Sequence, residues 1–141
     1  MHLIEPNACT QTTPTVLLIH PMLSSAEGMQ TVLVSNMGDD LRYLVPDLAA
    51  HGGEDATEYT SASQEAAQIH NWLLEHDITH LSLGFGASLG GVVLSELLKF
   101  NDLAFEHLFF EGTSFWTGGF LASTMEFVLK KVFLAKHCKA I

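Results

Sequence analysis

The chain has 141 residues, of which 48% are hydrophobic and 16% charged. That composition supports one globular domain with a core and excludes a disordered chain. The formal net charge of −10 argues against nucleic acid or an anionic membrane as the main partner.

Charge is unevenly placed. Only Arg42 among the basic residues precedes Lys99, while Lys130, Lys131, Lys136 and Lys139 gather towards the C-terminus. The opening residues lack a basic segment followed by an apolar core, so the sequence predicts no secretory signal. No apolar run approaches the roughly 20 residues of a membrane span. Cys9 and Cys138 form no framework, and a cytoplasmic location with free thiols is the expectation.

In chain order, Met1 to Thr13 is a short polar stub with at most a minimal strand at 2–4. Residues 15–19, Thr-Val-Leu-Leu-Ile, are a continuous apolar, β-rich run, which predicts a strand buried on both faces. His20-Pro21 ends it. Ser24-Ser25-Ala26-Glu27 reads as a helix start, with the helix running to about Asn36. A second short strand is expected over 41–45, followed by a loop containing Pro46-Asp47-Leu48 and His51-Gly52-Gly53. The spacing predicts an amphipathic helix over 61–76, with Ala66, Ile69, Trp72 and Leu73 on one side. A third strand over 81–85 leads into a helix over 89–100, and Leu108-Phe109-Phe110 is a fourth strand ending at Glu111-Gly112. Strands alternating with helices imply a parallel sheet covered on both faces, a three-layer α/β architecture. In such sheets functional residues gather beyond the carboxyl ends of the strands, where His20, Asp47, His51, Ser88 and Glu111 all fall.

The densest signal is Gly86-Ala87-Ser88-Leu89-Gly90, a match to G-x-S-x-G. In that pattern the serine sits on a strained strand-to-helix turn. The positions two before and two after it are small because strand and helix backbones nearly touch. Ser88 also opens a helix, so the following N–H groups face any developing oxyanion. Two other readings compete. Ser88 could serve simply as an N-cap. Gly84-Phe85-Gly86 could open a dinucleotide loop with Glu111 as its acidic residue, although the third glycine comes one residue late, at Gly90. A phosphate-binding P-loop is excluded, because no Lys-Ser or Lys-Thr follows the glycines.

From about Thr15 onwards the chain resembles the α/β-hydrolase fold superfamily. Leu17-Leu18-Ile19-His20-Pro21-Met22 is similar to the strand and oxyanion loop of that family. Pro46-Asp47-Leu48-Ala49-Ala50-His51-Gly52 is similar to its Pro-Asp-x-x-x-His-Gly segment, and the elbow at Ser88 completes the series. The resemblance implies that Ser88 is the nucleophile and that the Leu89 and Met22 N–H groups form the oxyanion hole. It implies loop-shaping roles for His20 and His51 and puts Glu111 where some members carry the triad acid, a solvated strand-end glutamate being the other reading.

Pro21 departs from the usual glycine, but the donor needed is on Met22. Family members continue through two further strands that supply the acid and the catalytic histidine. This chain therefore resembles the N-terminal part of a truncated α/β-hydrolase fold. Its segments would be a stub over 1–13, a core over 14–112 and a lid-like helical segment over 113–141. His2, His70, His76, His80, His107 and His137 match no family base position and are expected at surfaces or helix ends.

The implied function is that of a serine hydrolase acting on carboxylic esters or related small acyl substrates, with no metal or organic cofactor. The alternative is a catalytically silent domain that binds a ligand or assembles. The apolar residues over 120–134, from Phe120 through Met125, Phe127 and Val132 to Leu134, spread around most of a helix. The strand 108–110 would be an open edge. Both predict a homo-oligomer, most simply a two-fold dimer.

Overall fold

The structure, a computed structural model, describes residues 1–6 and 12–114. Among the described residues five strands form one sheet: β1 (Leu3–Ile4), β2 (Thr15–Ile19), β3 (Arg42–Pro46), β4 (His80–Ala87) and β5 (Ala104–Glu111). Their spatial order is β1-β3-β2-β4-β5. β3, β2, β4 and β5 run parallel to their neighbours, and β1 adds antiparallel to β3. β2 therefore lies in the interior of the sheet.

Alternation along β2 divides the core. Leu17 and Ile19 join Leu44 on one face, where α2 (Ala62–Glu75) and α3 (Leu89–Leu97) bury Ala66, Ile69, Leu73, Val93, Leu94 and Leu97. Val16 and Leu18 join Tyr43, Val45 and Phe85 on the other, under Ala26 and Met29 of α1 (Ala26–Val32). This is the three-layer architecture, with helices on both faces of a mostly parallel sheet.

Element ends differ from the sequence expectation in several places, among them α3, which ends at Leu97 and not at 100. The first helix stops at Val32, and a separate 3-10 turn covers Val34–Asn36. β-Branched Thr31 and Val32 are weak helix formers, and the Thr31 hydroxyl donates back to the Glu27 carbonyl at 2.9 Å, a bond that competes with regular helix geometry. β4 extends through Ala87 to the residue before Ser88. β5 begins at Ala104 rather than at 108, because Glu106 and His107 interrupt its apolar pattern on an exposed edge strand. His70, expected at a surface, is buried within α2; its Nε2 lies 2.8 Å from Asp102 and its ring stacks on Phe100. The apolar segment 120–134, and with it the lid-like portion of 113–141 beyond residue 114, lies outside the described residues.

Candidate functional site

β4 delivers the chain to Ser88, which has φ 49° and ψ −112°. A non-glycine residue in that region is strained by about 1–3 kcal/mol and persists only when its surroundings enforce it. The enforcement is visible. The Ser88 N–H donates to the Glu111 carbonyl of β5 at 2.8 Å, and α3 begins at the next residue. A Cβ on Gly86 would lie 2.6 Å from the Gly90 carbonyl oxygen. One on Gly90 would strike the Ile19 carbonyl, with that of His20 2.7 Å away, and one on Gly91 would strike Thr113. The small residues flanking Ser88 thus let α3 cross β4 and β2 at backbone contact distance.

Ser88 holds the N-cap position but makes no side-chain capping bond, and its side chain is exposed. The N-cap reading therefore fails: among the described residues the serine hydroxyl has no partner, and it stands at the carboxyl edge of the sheet. The dinucleotide reading fails as well, because Gly84 and Gly86 lie within β4 instead of in a loop.

Beside the elbow is a cleft of about 480 Å³ lined by Met22, Leu23 and Ser24 from the loop after β2, Ala50, His51 and Gly52 from the loop after β3, Tyr59, and Leu89. It lies at the carboxyl ends of the strands, where parallel sheets bind ligands. A larger polar hollow of about 640 Å³, lined by Thr15, Arg42, Ile78, His80 and Glu106 among others, lies at the amino ends, away from Ser88. Leu23 (φ 67°) and Ala50 (φ 65°) are strained like Ser88, so two walls of the cleft and the residue before its third share the same kind of backbone. Met22 and Leu89, the expected oxyanion donors, both line the cleft. Leu89 is the first residue of α3, so its N–H has no intrahelical acceptor.

The walls are held by a buried polar cluster. Asp47 Oδ1 accepts the Ala26 N–H at 2.7 Å, and Oδ2 accepts the Gly53 N–H at 2.9 Å and lies 2.6 Å from His2 Nδ1. Burial alone would raise the Asp47 carboxyl; the donors from Ala26, Gly53 and His2 outweigh it and hold it below the usual carboxylate range. Gly52 passes over this carboxylate at φ +52°, where a Cβ would overlap Asp47. The Ala49 N–H donates to buried Glu65 at 3.0 Å.

His20 is fully buried. Its Nδ1–H donates to the Pro21 carbonyl at 2.8 Å, and its Nε2 accepts the Leu48 N–H at 3.0 Å. Desolvation, reinforced by His51, lowers its pKa against the opposing effects of the Pro21 bond and Asp47. With both nitrogens engaged, neutral His20 ties the two loops together. His51 packs against it, ring centroids 5.1 Å apart, and donates from Nδ1 to the Ala49 carbonyl at 2.9 Å.

Glu111 pairs in register with Ala87 and touches the elbow through its carbonyl. His76 donates to the Trp72 carbonyl and His80 pairs with Glu106; His137 lies outside the described residues. Sequence reasoning missed Leu23, Ala50 and Tyr59 as cleft walls. Neither leucine nor alanine signals positive φ, and Tyr59 stands in a loop without periodicity.

No protein-family model matches the sequence, and no curated protein matches it. Solved structures do. An alpha/beta hydrolase family protein from Desulfitobacterium hafniense superposes with a TM-score of 0.72 at 21% identity, over 80% of this chain and 44% of that one. A hydrolase from Pseudomonas aeruginosa PA01 gives 0.71 at 18% identity, over 93% and 48%. The chain has the α/β-hydrolase fold. It spans less than half the length of either structure. The N-acyl homoserine lactonase AidH, complexed with N-butanoyl homoserine, is similar at a TM-score of 0.61 and 22% identity, over 79% of this chain and 40% of that one. No helix among the described residues is long and apolar enough to cross a membrane.

Proposed function

We propose that the chain acts as a serine hydrolase on carboxylic esters or related small acyl substrates. The observation that carries this is Ser88 itself: a serine at positive φ, at the N-terminus of a helix, exposed and not used as a cap. The strain has no structural return, and such strain collects where chemistry needs a group presented. Ser88 Oγ would attack the substrate carbonyl carbon, the C=O electron pair moving to oxygen and the hydroxyl proton to a base. The Met22 and Leu89 N–H groups would hold the oxyanion, a contribution of about 3 kcal/mol per donor in such sites. Names of similar structures, which include an esterase from Exiguobacterium antarcticum and N-acyl homoserine lactonases, support ester or lactone carbonyls as the substrate class. Hydrolysis of a p-nitrophenyl ester that is lost in Ser88→Ala tests the reading.

A second reading, ligand binding without turnover, is favoured by one observation. Ser88 Oγ has no hydrogen-bond partner among the described residues, so no histidine among them is hydrogen-bonded to it as a base. Tight binding of an ester without its hydrolysis would select this reading.

We also propose a cytoplasmic protein, on its cysteine usage, that pairs with a second copy of itself. Among the described residues β5 is the edge strand of the sheet, and it carries exposed Leu108 and Phe109, an edge suited to strand pairing. Light scattering giving a monomer mass at all concentrations would reject the dimer.

A further inference from the structure

His2 stands one residue before β1 and grips the loop after β3 with backbone and side chain. Its carbonyl accepts the Asp47 N–H at 2.9 Å, and its Nδ1 lies 2.6 Å from Asp47 Oδ2. A carboxylate oxygen only accepts, so the ring donates. The two side chains differ in exposure, 47% for His2 against 1% for Asp47: a half-exposed ring completes the bonding of a buried carboxylate. The ring also meets the Gly53 backbone, since a Cβ built on Gly53 would fall 2.6 Å from the ring Cγ and Nδ1. Glycine at 53 gives the ring its space.

Between Asp47 and Gly53 lie Ala50, His51 and Gly52, which wall the cleft beside Ser88. Ala50 (φ 65°) and Gly52 (φ 52°) both stand at positive φ, and Ala50 keeps such a backbone only where its surroundings enforce it. Asp47 Oδ1 ties this loop to α1 through Ala26. Oδ2 has two partners among the described residues, Gly53 and His2. Gly53 belongs to the loop itself, so His2 is what ties this oxygen to the rest of the sheet. We propose that His2 is a positioning residue of the Ser88 site: its bond to Asp47 and its packing on Gly53 hold the 50–52 wall in place. The effect on rate rests on the reading of Ser88 as nucleophile; the hold on the loop does not.

The test is NMR relaxation of the nitrogen-15-labelled chain, which reads the folded population and is blind to a mere loss of stability. Backbone order parameters over 48–54 should fall from about 0.85 in the wild type to below about 0.6 in His2→Ala, with β2 and β4 unchanged. His2→Asn, whose side-chain N–H stands where the Nδ1–H stood, should restore the wild-type values. Gly53→Ala displaces the ring and should loosen the loop too, whereas the same methyl added to His2→Ala should loosen it no further. Labelling of Ser88 by an alkyl fluorophosphonate should slow by about tenfold in His2→Ala, as a small misplacement of a site wall costs, and recover in His2→Asn. If His2→Ala does not fold, Gly53→Ala carries both comparisons. A loop as rigid in His2→Ala as in the wild type would overturn the inference. So would a loop left loose in His2→Asn, or a loosened loop with an unchanged labelling rate. No labelling of the wild type would overturn the Ser88 reading alone, and the order parameters would then decide the hold of His2 on the loop.

Discussion

Asp47 reaches from the loop after β3 to the first turn of α1, where its Oδ1 accepts the Ala26 N–H at 2.7 Å. One carboxylate thereby fixes both sides of the cleft, since the chain just before Ala26 carries Met22, Leu23 and Ser24, and the chain just after Asp47 carries Ala50, His51 and Gly52. Asp47→Ala strands the Ala26 and Gly53 donors, at about 1–3 kcal/mol for each buried group left unpaired. The expected loss is about 2–6 kcal/mol in urea unfolding. Asp47→Asn keeps one acceptor oxygen and should lose less.

Acid should loosen the same cluster in two stages. The His20 pKa is lowered in the fold, so the unfolded chain takes up the proton first as pH falls below the ordinary value of 6.5. Its contribution is complete above that pH and is lost as pH falls through the lower folded value. The Asp47 pKa is also lowered, and its contribution disappears further down, below the usual carboxylate range. The urea midpoint should therefore decline from about pH 6.5 downward and decline again in more acid solution. His20→Gln, which retains an acceptor for the Leu48 N–H, should flatten the first stage.

The close crossing of α3 over β2 makes Gly90 intolerant of a side chain. A methyl there meets the backbone carbonyls of Ile19 and His20, which cannot rotate away. Gly90→Ala should destabilise by about 1–3 kcal/mol or more and disturb the Ser88 turn. Gly112→Ala is the contrast. That residue has φ +54° but nothing within 4 Å of its added Cβ, so only backbone strain of about 1–2 kcal/mol applies. Calorimetric melting of both variants checks the difference.

If Ser88 is strained for presentation, removing the strain should help the fold. Ser88→Gly relieves about 1–3 kcal/mol of unfavourable backbone geometry and adds about 0.5–1 kcal/mol of chain entropy cost. A net gain of about 1 kcal/mol, together with loss of any turnover, is the expected signature of a functional serine. A loss of stability would mark Ser88 as a structural residue.

Much of this was legible in the sequence because the signals were short-range. The run Thr15–Ile19 has no polar residue between its flanking threonine and His20, which places it inside the sheet, and the glycines around Ser88 announce a backbone crossing. The first half of β5 was hidden because Glu106 and His107 interrupt its apolar pattern on an exposed edge strand. The cleft was not legible at all: Leu23 and Ala50 adopt positive φ without being glycine or asparagine, and Tyr59 joins them only through tertiary packing. The stacking of His70 on Phe100 is tertiary in the same way. The expectation of an apolar helix over 120–134 falls outside the described residues.

The central claim is that Ser88 is a nucleophile, and covalent labelling with an alkyl fluorophosphonate tests it most directly. Mass spectrometry of the wild-type chain should show a single adduct, mapped to the peptide containing Ser88 and absent in Ser88→Ala. An unmodified wild-type chain, or an adduct that persists in Ser88→Ala, would contradict the account.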